Sequence, residues 1–202
     1  MLNDDPVDPY QWYDIKGFYH MVMVNNNITY DNQYKALVYN GSNSYTTTPI
    51  TYNFDFHSGG SFECWYFLNS ISSGQGFLSI SPTPSYLNFY MNSNATMRWE
   101  VIGTTSSSYN DLNSTTVHVP GRWYHAIGVF DTNNTYLYIN GVLESSQTNY
   151  TNSPFYITGY VTTGTYGGYL NGKLSICRIY NRPLTAQEVA QNFNAERGRH
   201  GI

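Results

Sequence analysis

The sequence predicts an all-β chain, and three observations carry that prediction. Its 202 residues include 23 Asn, 19 Ser, 20 Thr, 21 Tyr and 17 Gly, types that favour strands and turns over long helices. Apolar and polar residues alternate with period two through most of residues 35–180. Clusters of Ser, Thr, Gly and Asn at 42–48, 70–76, 103–108 and 162–168 punctuate the alternation, and none is long enough to be a linker. Charged residues make up only 11% of the chain and aromatics 17%, the reverse of a disordered composition. A chain of this length can bury a sizeable core.

Residues 1–31 are acidic and aromatic, with Asp4, Asp5, Asp8, Tyr10, Trp12, Tyr13 and Asp14. They are expected to form an N-terminal arm or edge segment ahead of one domain at 32–202. So large an aromatic load needs a surface to lie on. Tyr10, Trp12 and Tyr13 are therefore the candidate partner-docking residues, on another subunit or another protein. The rival expectation is that the segment folds back along its own domain as an extra edge strand, a role that residues 22–24 suit.

Further on, Phe62, Cys64 and Tyr66 share one strand face, and Glu63, Trp65 and Phe67 share the other. Both faces are largely apolar, which predicts a central strand covered on both sides. Residues 86–91 and 96–102 read as a hairpin through Asn92-Ser93-Asn94. In its second arm Met97, Trp99 and Val101 face inward while Arg98 and Glu100 face out, a half-buried strand. The strongest hairpin signal is Asn140-Gly141 between the apolar alternations of residues 136–143, because both residues accept the positive φ of a type I′ turn. Thr185 and Glu188 fit a capping box for one short helix over 185–195, with Val189 and Phe193 pressing it onto the domain and Gly198 ending it.

Charge and composition exclude several classes. A net charge of −4 with nine Lys and Arg in the whole chain leaves no cationic cluster for nucleic acid. No apolar run approaches the roughly 18–20 residues that would cross a bilayer. The acidic start at Met1 lacks the basic and apolar regions of a signal peptide. Cys64 and Cys177 lie in apolar strand-like runs, read as two buried free thiols rather than a bridge, and two cysteines at this spacing give no zinc ligand pair.

Three runs of residues, in order, resemble a known family. Gly121-Arg122-Trp123-Tyr124-His125-Ala126 resembles the W-x-H-V-A strand of laminin-G-like, concanavalin A-like domains, and Leu137-Tyr138-Ile139-Asn140-Gly141 resembles their L-Y-V-N-G hairpin. Residues 169–174 and 178–185 are similar to their closing strand, and Glu188-Val189 to the start of the helix after it. The resemblance covers residues 32–195. The C-terminal run 191–202 also resembles the tail of such domains in tailed-phage structural proteins. The resemblance implies a jelly-roll sandwich of two antiparallel sheets with one short C-terminal helix, and a carbohydrate-binding or adhesive module. One departure weakens any calcium site: the family often carries acidic residues in the closing strand, where this chain has Ser175 and Ile176.

Catalytic chemistry is tested by subtraction. Glycosidases need two carboxylates across the scissile bond. None of Glu63, Glu100, Glu144, Glu188 and Glu196 has an Asp two positions on, so no catalytic residue is assigned. The five His show no metal-ligand spacing, and no G-x-S-x-G elbow is present. His125 reads as structural. Asp55, Asp111 and Asp131 could serve calcium, but the sequence requires no metal, and Asp131 suits a turn cap better. Trp65, Trp99 and Trp123 read as core. The loop tyrosines Tyr109, Tyr160 and Tyr166 are the candidate ligand-binding residues, as stacking platforms for sugars.

The expected function is non-enzymatic. It is that of a bacteriophage virion protein (a structural, decoration or fibre protein) whose lectin-like domain binds host-surface glycans. Its expected partners are other virion proteins and further copies of itself, with no nucleic acid and no membrane span, at the virion surface. The alternative is an extracellular carbohydrate-binding module of a secreted or cell-surface protein.

Overall fold

A computed structural model describes residues 11–12, 20–24, 27–72, 74–81, 86–102, 109–148 and 156–202. In chain order the strands are β1 (Gln11–Trp12), β2 (Met21–Val24), β3 (Thr29–Asp31), β4 (Ala36–Asn40), β5 (Tyr45–Thr47), β6 (Tyr52–Asp55), β7 (Gly60–Leu68) and β8 (Gln75–Ser81). They continue as β9 (Tyr86–Met91), β10 (Thr96–Ile102), β11 (Tyr109–Val117), β12 (Trp123–Phe130), β13 (Asn134–Ile139), β14 (Val142–Thr148), β15 (Tyr156–Thr163) and β16 (Asn171–Tyr180), followed by the helix α1 (Ala186–His200). Two antiparallel sheets face each other. The nine-stranded sheet runs β1-β2-β5-β15-β8-β9-β10-β11, with β6 also paired to β15, and the seven-stranded sheet runs β14-β13-β12-β7-β16-β4-β3. This is the two-sheet jelly-roll sandwich with one C-terminal helix that the sequence predicts.

The described part of residues 1–31 is an edge segment. β1 pairs with β2 and β2 with β5 in one sheet, while β3 pairs with β4 in the other. Backbone pairing thus runs across the expected boundary at residue 32, and Met21 is buried in the main core. Of the docking candidates, Trp12 is placed by its backbone pairing with Met21. Tyr10 and Tyr13 lie outside the described residues.

β7 is central, flanked by β12 and β16. Phe62, Cys64 and Tyr66 enter the main core between the sheets, and Trp65 enters a second cluster with Trp123 and Ile176. Between the sheets, Trp99 of β10 presses on Gly128 of β12, where a Cβ would lie 2.5 Å from the indole ring, so only glycine admits that ring. Cys64 and Cys177 are free thiols and oppose each other on β7 and β16.

The helix is longer than its sequence signals suggest. Thr185 and Glu188 form the capping box as expected. Gly198, however, is helical, and the helix ends at Gly201 in the left-handed conformation at φ 73°. A single internal glycine costs only about 1 kcal/mol, and the last turn is held by His200. That ring stacks on Trp65 at 4.1 Å, donates from Nδ1 to the Glu196 carbonyl (3.0 Å) and accepts at Nε2 from the Ser175 hydroxyl (2.8 Å).

Asn140 and Gly141 have φ of 50° and 78°, the type I′ turn the sequence predicts. A Cβ on Gly141 would also lie 3.0 Å from the Phe193 ring of α1. Gly141→Val is therefore expected to cost about 1–3 kcal/mol, read as a fall in Tm; an unchanged Tm would contradict the turn and the helix contact together.

Acid should loosen the helix face. Burial holds the His200 imidazole down to about 4 and also lowers His118, which donates from Nδ1 to the Ala95 carbonyl and accepts from Tyr66. The unfolded chain takes up these protons near pH 6.5 and the folded one does not. The His200 contribution is therefore complete above about pH 6.5 and is lost as pH falls toward 4, and His118 acts in the same direction. Thermal melts should show a Tm that declines across that window, with a shallower decline in His200→Gln.

Candidate functional site

The outer face of the seven-stranded sheet is covered where α1 lies on it: Phe193 stacks on Trp65 at 5.8 Å, and Val189 is buried against Ile127, Val129 and Tyr138. The outer face of the nine-stranded sheet has a different character. There β9 and β10 alternate Leu87, Phe89, Met91 and Met97, Trp99, Val101 inward, which turns Tyr86, Asn88, Tyr90 and Arg98, Glu100 outward. The expected half-burial of β10 is incorrect, because Glu100 is only 3% exposed. Tyrosines from neighbouring segments cover it.

One of those tyrosines is Tyr166, carried by a tight turn laid onto β8. Gly168 donates to the Gly74 carbonyl at 3.0 Å, and Gly76 lies so close beneath the turn that a Cβ would fall 2.3 Å from the Thr165 backbone. Gly164 and Gly167, both at positive φ, allow the turn to close this tightly. Tyr166 then packs on Tyr90 at 4.8 Å between centroids and lies 6.4 Å from Tyr86.

Glu100 collects the polar groups beneath these rings. Tyr90 donates to it at 2.8 Å, Tyr166 at 3.3 Å and Asn88 at 3.4 Å, and Arg98 Nη2 lies 3.1 Å away. Arg98 also reaches across to Asp111 on β11, donating from Nε at 2.7 Å and pairing through Nη2, and its guanidinium lies 5.5 Å from the Tyr90 ring centroid. Burial and the Glu100 charge push the Tyr166 hydroxyl well above its ordinary range, and the same two causes raise Tyr86. Burial raises Asp111 as well, against the opposing pull of Arg98. Asn88 is fully buried, and its Oδ1 has no hydrogen-bond partner among the described residues.

Sequence reasoning placed Tyr109, Tyr160 and Tyr166 as candidates. Tyr166 is at the centre of this cluster. Tyr160 faces outward on β15 opposite Ser81 and is 42% exposed. Tyr109 opens β11 opposite Ile102, a backbone position on the same face. Missed were Tyr86, Tyr90, Asn88 and Arg98, while Asp111 was weighed only for calcium and Glu100 only as a catalytic carboxylate. A search for carboxylates along one strand could not find the last pair, since Glu100 and Asp111 are direct partners across two strands.

The other candidates serve the fold. Glu63 and His125 are bonded at 3.2 Å under α1. Asp131 caps its turn by accepting from Asn133 and Asn134, both at 2.7 Å, and Asp55 accepts from the His57 amide at 3.0 Å. With Asp111 committed to Arg98, the three carboxylates considered for calcium do not converge. Among the described residues no three His, Cys, Asp or Glu gather to hold a metal. Trp65, Trp99 and Trp123 are core residues. What the outer face offers is ring faces for stacking and hydroxyl, amide and carboxylate groups for hydrogen bonds.

Comparisons with known proteins agree with the architecture. The laminin-G-type model of the concanavalin A-like lectin/glucanases superfamily matches residues 40–190. No curated protein matches the chain in sequence. Among solved structures, the heptameric SAP-like pentraxin of Limulus polyphemus aligns with a TM-score of 0.60 and 15% identity over 77% of this chain and 79% of that one. The binding domain of Paraclostridial mosquitocidal protein 1 aligns at 0.77 and 16% over 94% of this chain and 50% of that one. The binding domain of botulinum neurotoxin serotype D aligns at 0.69 and 14% over 89% and 47%. The chain spans about half the length of these two toxin domains. At such identities the likeness is one of fold. With three-quarters of its length matched by the family model, the chain belongs to the concanavalin A-like lectin/glucanases superfamily, in its laminin-G branch.

Proposed function

We propose that this chain is a lectin-like, non-enzymatic glycan-binding domain whose site is the outer face of the nine-stranded sheet around Tyr86, Tyr166, Arg98 and Asp111. One observation carries the reading: the half-buried Tyr166 ring, packed on the buried Tyr90, stands over a buried Glu100 to which both tyrosines donate. A sugar presents an apolar ring face edged by hydroxyls, and this face supplies an aromatic surface edged by acceptors. The toxin relatives in fold are described as binding domains, which supports the same reading.

Placement on a phage particle, with other virion proteins and further copies of itself as partners, is proposed from the sequence run 191–202 alone. An extracellular module is the alternative. Finding the chain at fixed stoichiometry in purified particles supports the former, and its absence from them supports the latter.

The binding proposal is tested on a glycan array carrying neutral and charged glycans. The expected result is a defined set of bound glycans, with Tyr166→Ala weakening them about tenfold or more at an unaltered fold by circular dichroism. A blank array overturns the reading.

Hydrolysis is not expected. Incubation with polysaccharides should release no reducing ends above the buffer background. Release that disappears in Glu100→Gln or Asp111→Asn would show that the carboxylates are catalytic.

A further inference from the structure

Cys64 and Cys177 are directly opposed in the ladder that joins the central strand β7 to the closing strand β16. Residues opposed in an antiparallel pair have Cα atoms about 4.5–5.5 Å apart, inside the span of about 4.4–6.8 Å that a disulfide bridges. Both side chains turn to the same side. Cys64 enters the main core beside Phe62 and Tyr66, and Cys177 packs against that core. The next pair along the ladder, Glu63 and Arg178, meets on the other face at 2.7 Å, which fixes the register at this point. Cys64 is buried and Cys177 half-buried, so Cys177 is the thiol nearer solvent. The whole chain has two cysteines, so no other internal pairing competes.

We infer that Cys64 and Cys177 are a covalent modification site: they close to a cross-strand disulfide that locks β16 onto β7 when the chain folds in contact with glutathione disulfide or a similar small disulfide. The inference is independent of the glycan-binding reading. In the first step the Cys177 thiolate attacks one sulfur of glutathione disulfide, forms a mixed disulfide and releases one glutathione thiolate. Cys64 then loses its proton and attacks the Cys177 sulfur, which releases the second glutathione thiolate. The two released thiolates take up the two protons, so two protein thiols are oxidised and one small disulfide is reduced. Burial pushes both protein thiols up, and the neighbouring Cys177 raises Cys64 further. Thiolate is therefore scarce once the core has closed, and the exchange belongs to the folding chain.

Opposed Cβ atoms stand about 4.5–5.5 Å apart, and a disulfide draws them to about 3.8 Å. The bulge at Ser175, between Leu174 and Ile176, bends β16 just before the pair and gives it slack for that shift. The link closes a loop on the order of a hundred residues, which restricts the unfolded chain strongly. It also lies one residue from the Glu63–Arg178 pair, and so holds the register on which the contact of α1 with Glu63 depends.

The test is refolding of the intact chain from urea in a mildly alkaline glutathione redox buffer, against the same refolding with a phosphine reductant. Mass spectrometry should find the oxidatively refolded chain monomeric and two hydrogen atoms lighter, with a proteolytic peptide pair joining Cys64 to Cys177. Its Tm should stand at least about 5 °C above that of the reduced chain. Cys64→Ala and Cys177→Ala should each show the same Tm in both buffers. Chain that is already folded should convert at least about tenfold more slowly than refolding chain. Free thiols after oxidative refolding overturn the inference, as does a glutathione adduct left on Cys177 or a linked dimer. A bond that leaves Tm unchanged or lower, or that forms as fast in the folded chain, overturns it as well. None of these outcomes bears on the glycan array.

Discussion

Glu63 lies in the middle of the central strand β7 with its carboxylate fully buried, and it accepts from His125 Nε2 at 3.2 Å, Arg178 at 2.7 Å, the Tyr180 hydroxyl at 2.7 Å and Asn192 at 3.0 Å. Burial by itself would raise that carboxyl. The His125 hydrogen bond, the Arg178 charge and the Tyr180 hydroxyl outweigh it and hold the group below the usual carboxylate range. A buried charge stripped of one partner typically costs 3–5 kcal/mol, so β12, β16 and α1 must all be seated at once. The network therefore does more than join neighbours. It couples the register of three adjacent strands to the docking of a helix that lies far away in sequence.

That docking covers one face of the smaller sheet. Asn192 holds α1 to Glu63, Phe193 and His200 stack on Trp65, and Glu196 lies 3.5 Å from Arg178. The C-terminal run 191–202 thus turns Asn192, Phe193, Glu196 and His200 onto its own sandwich. On a second side, the edge strands β11 and β14 are tied through Glu144, which accepts from the Thr116 amide at 2.9 Å, and through Gln147, which donates to Asn110 at 2.8 Å. Helix and edge contacts cover those surfaces, and among the described residues only the Tyr166 turn lies over the tyrosine-bearing face of the larger sheet.

Much of this was legible in the sequence where the signal is local. Asn140-Gly141 set its own turn, Thr185 and Glu188 their own cap, and the doubly apolar alternation of residues 62–67 declared a central strand. The helix end was misread because Gly198 looks like a stop within its own neighbourhood, while the contact that carries the helix onward, His200 on Trp65, spans 135 positions of sequence. The site was harder for the same reason. Arg98 and Glu100 look like an ordinary wet face of β10, and only the register with β9 and β11, together with the turn that carries Tyr166, shows them to be covered. Tyr166 and Tyr160 were found because loop and strand tyrosines attract attention singly. Tyr86, Tyr90 and Asp111 have meaning only as cross-strand neighbours.

Glu63 and Glu100 also mark the difference between a packing face and a binding face. Both carboxylates are buried and both are satisfied by tyrosine hydroxyls and an arginine, so burial and hydrogen bonding alone do not distinguish them. The difference lies in what covers them: the helix and its own polar groups over Glu63, but the buried Tyr90, the half-buried Tyr166 and the Arg98–Asp111 pair around Glu100. Arg98 also links the pair Glu100 and Asp111. Two carboxylates facing each other across adjacent strands would repel, and one would hold a proton, the condition an acid–base pair requires. A guanidinium bonded to both works against that repulsion without cancelling it, since burial and the Glu100 charge still hold Asp111 above its ordinary range. The two carboxylates are here drawn onto one cation, with Glu100 buried and the half-buried Tyr86 and Tyr166 rings beside them.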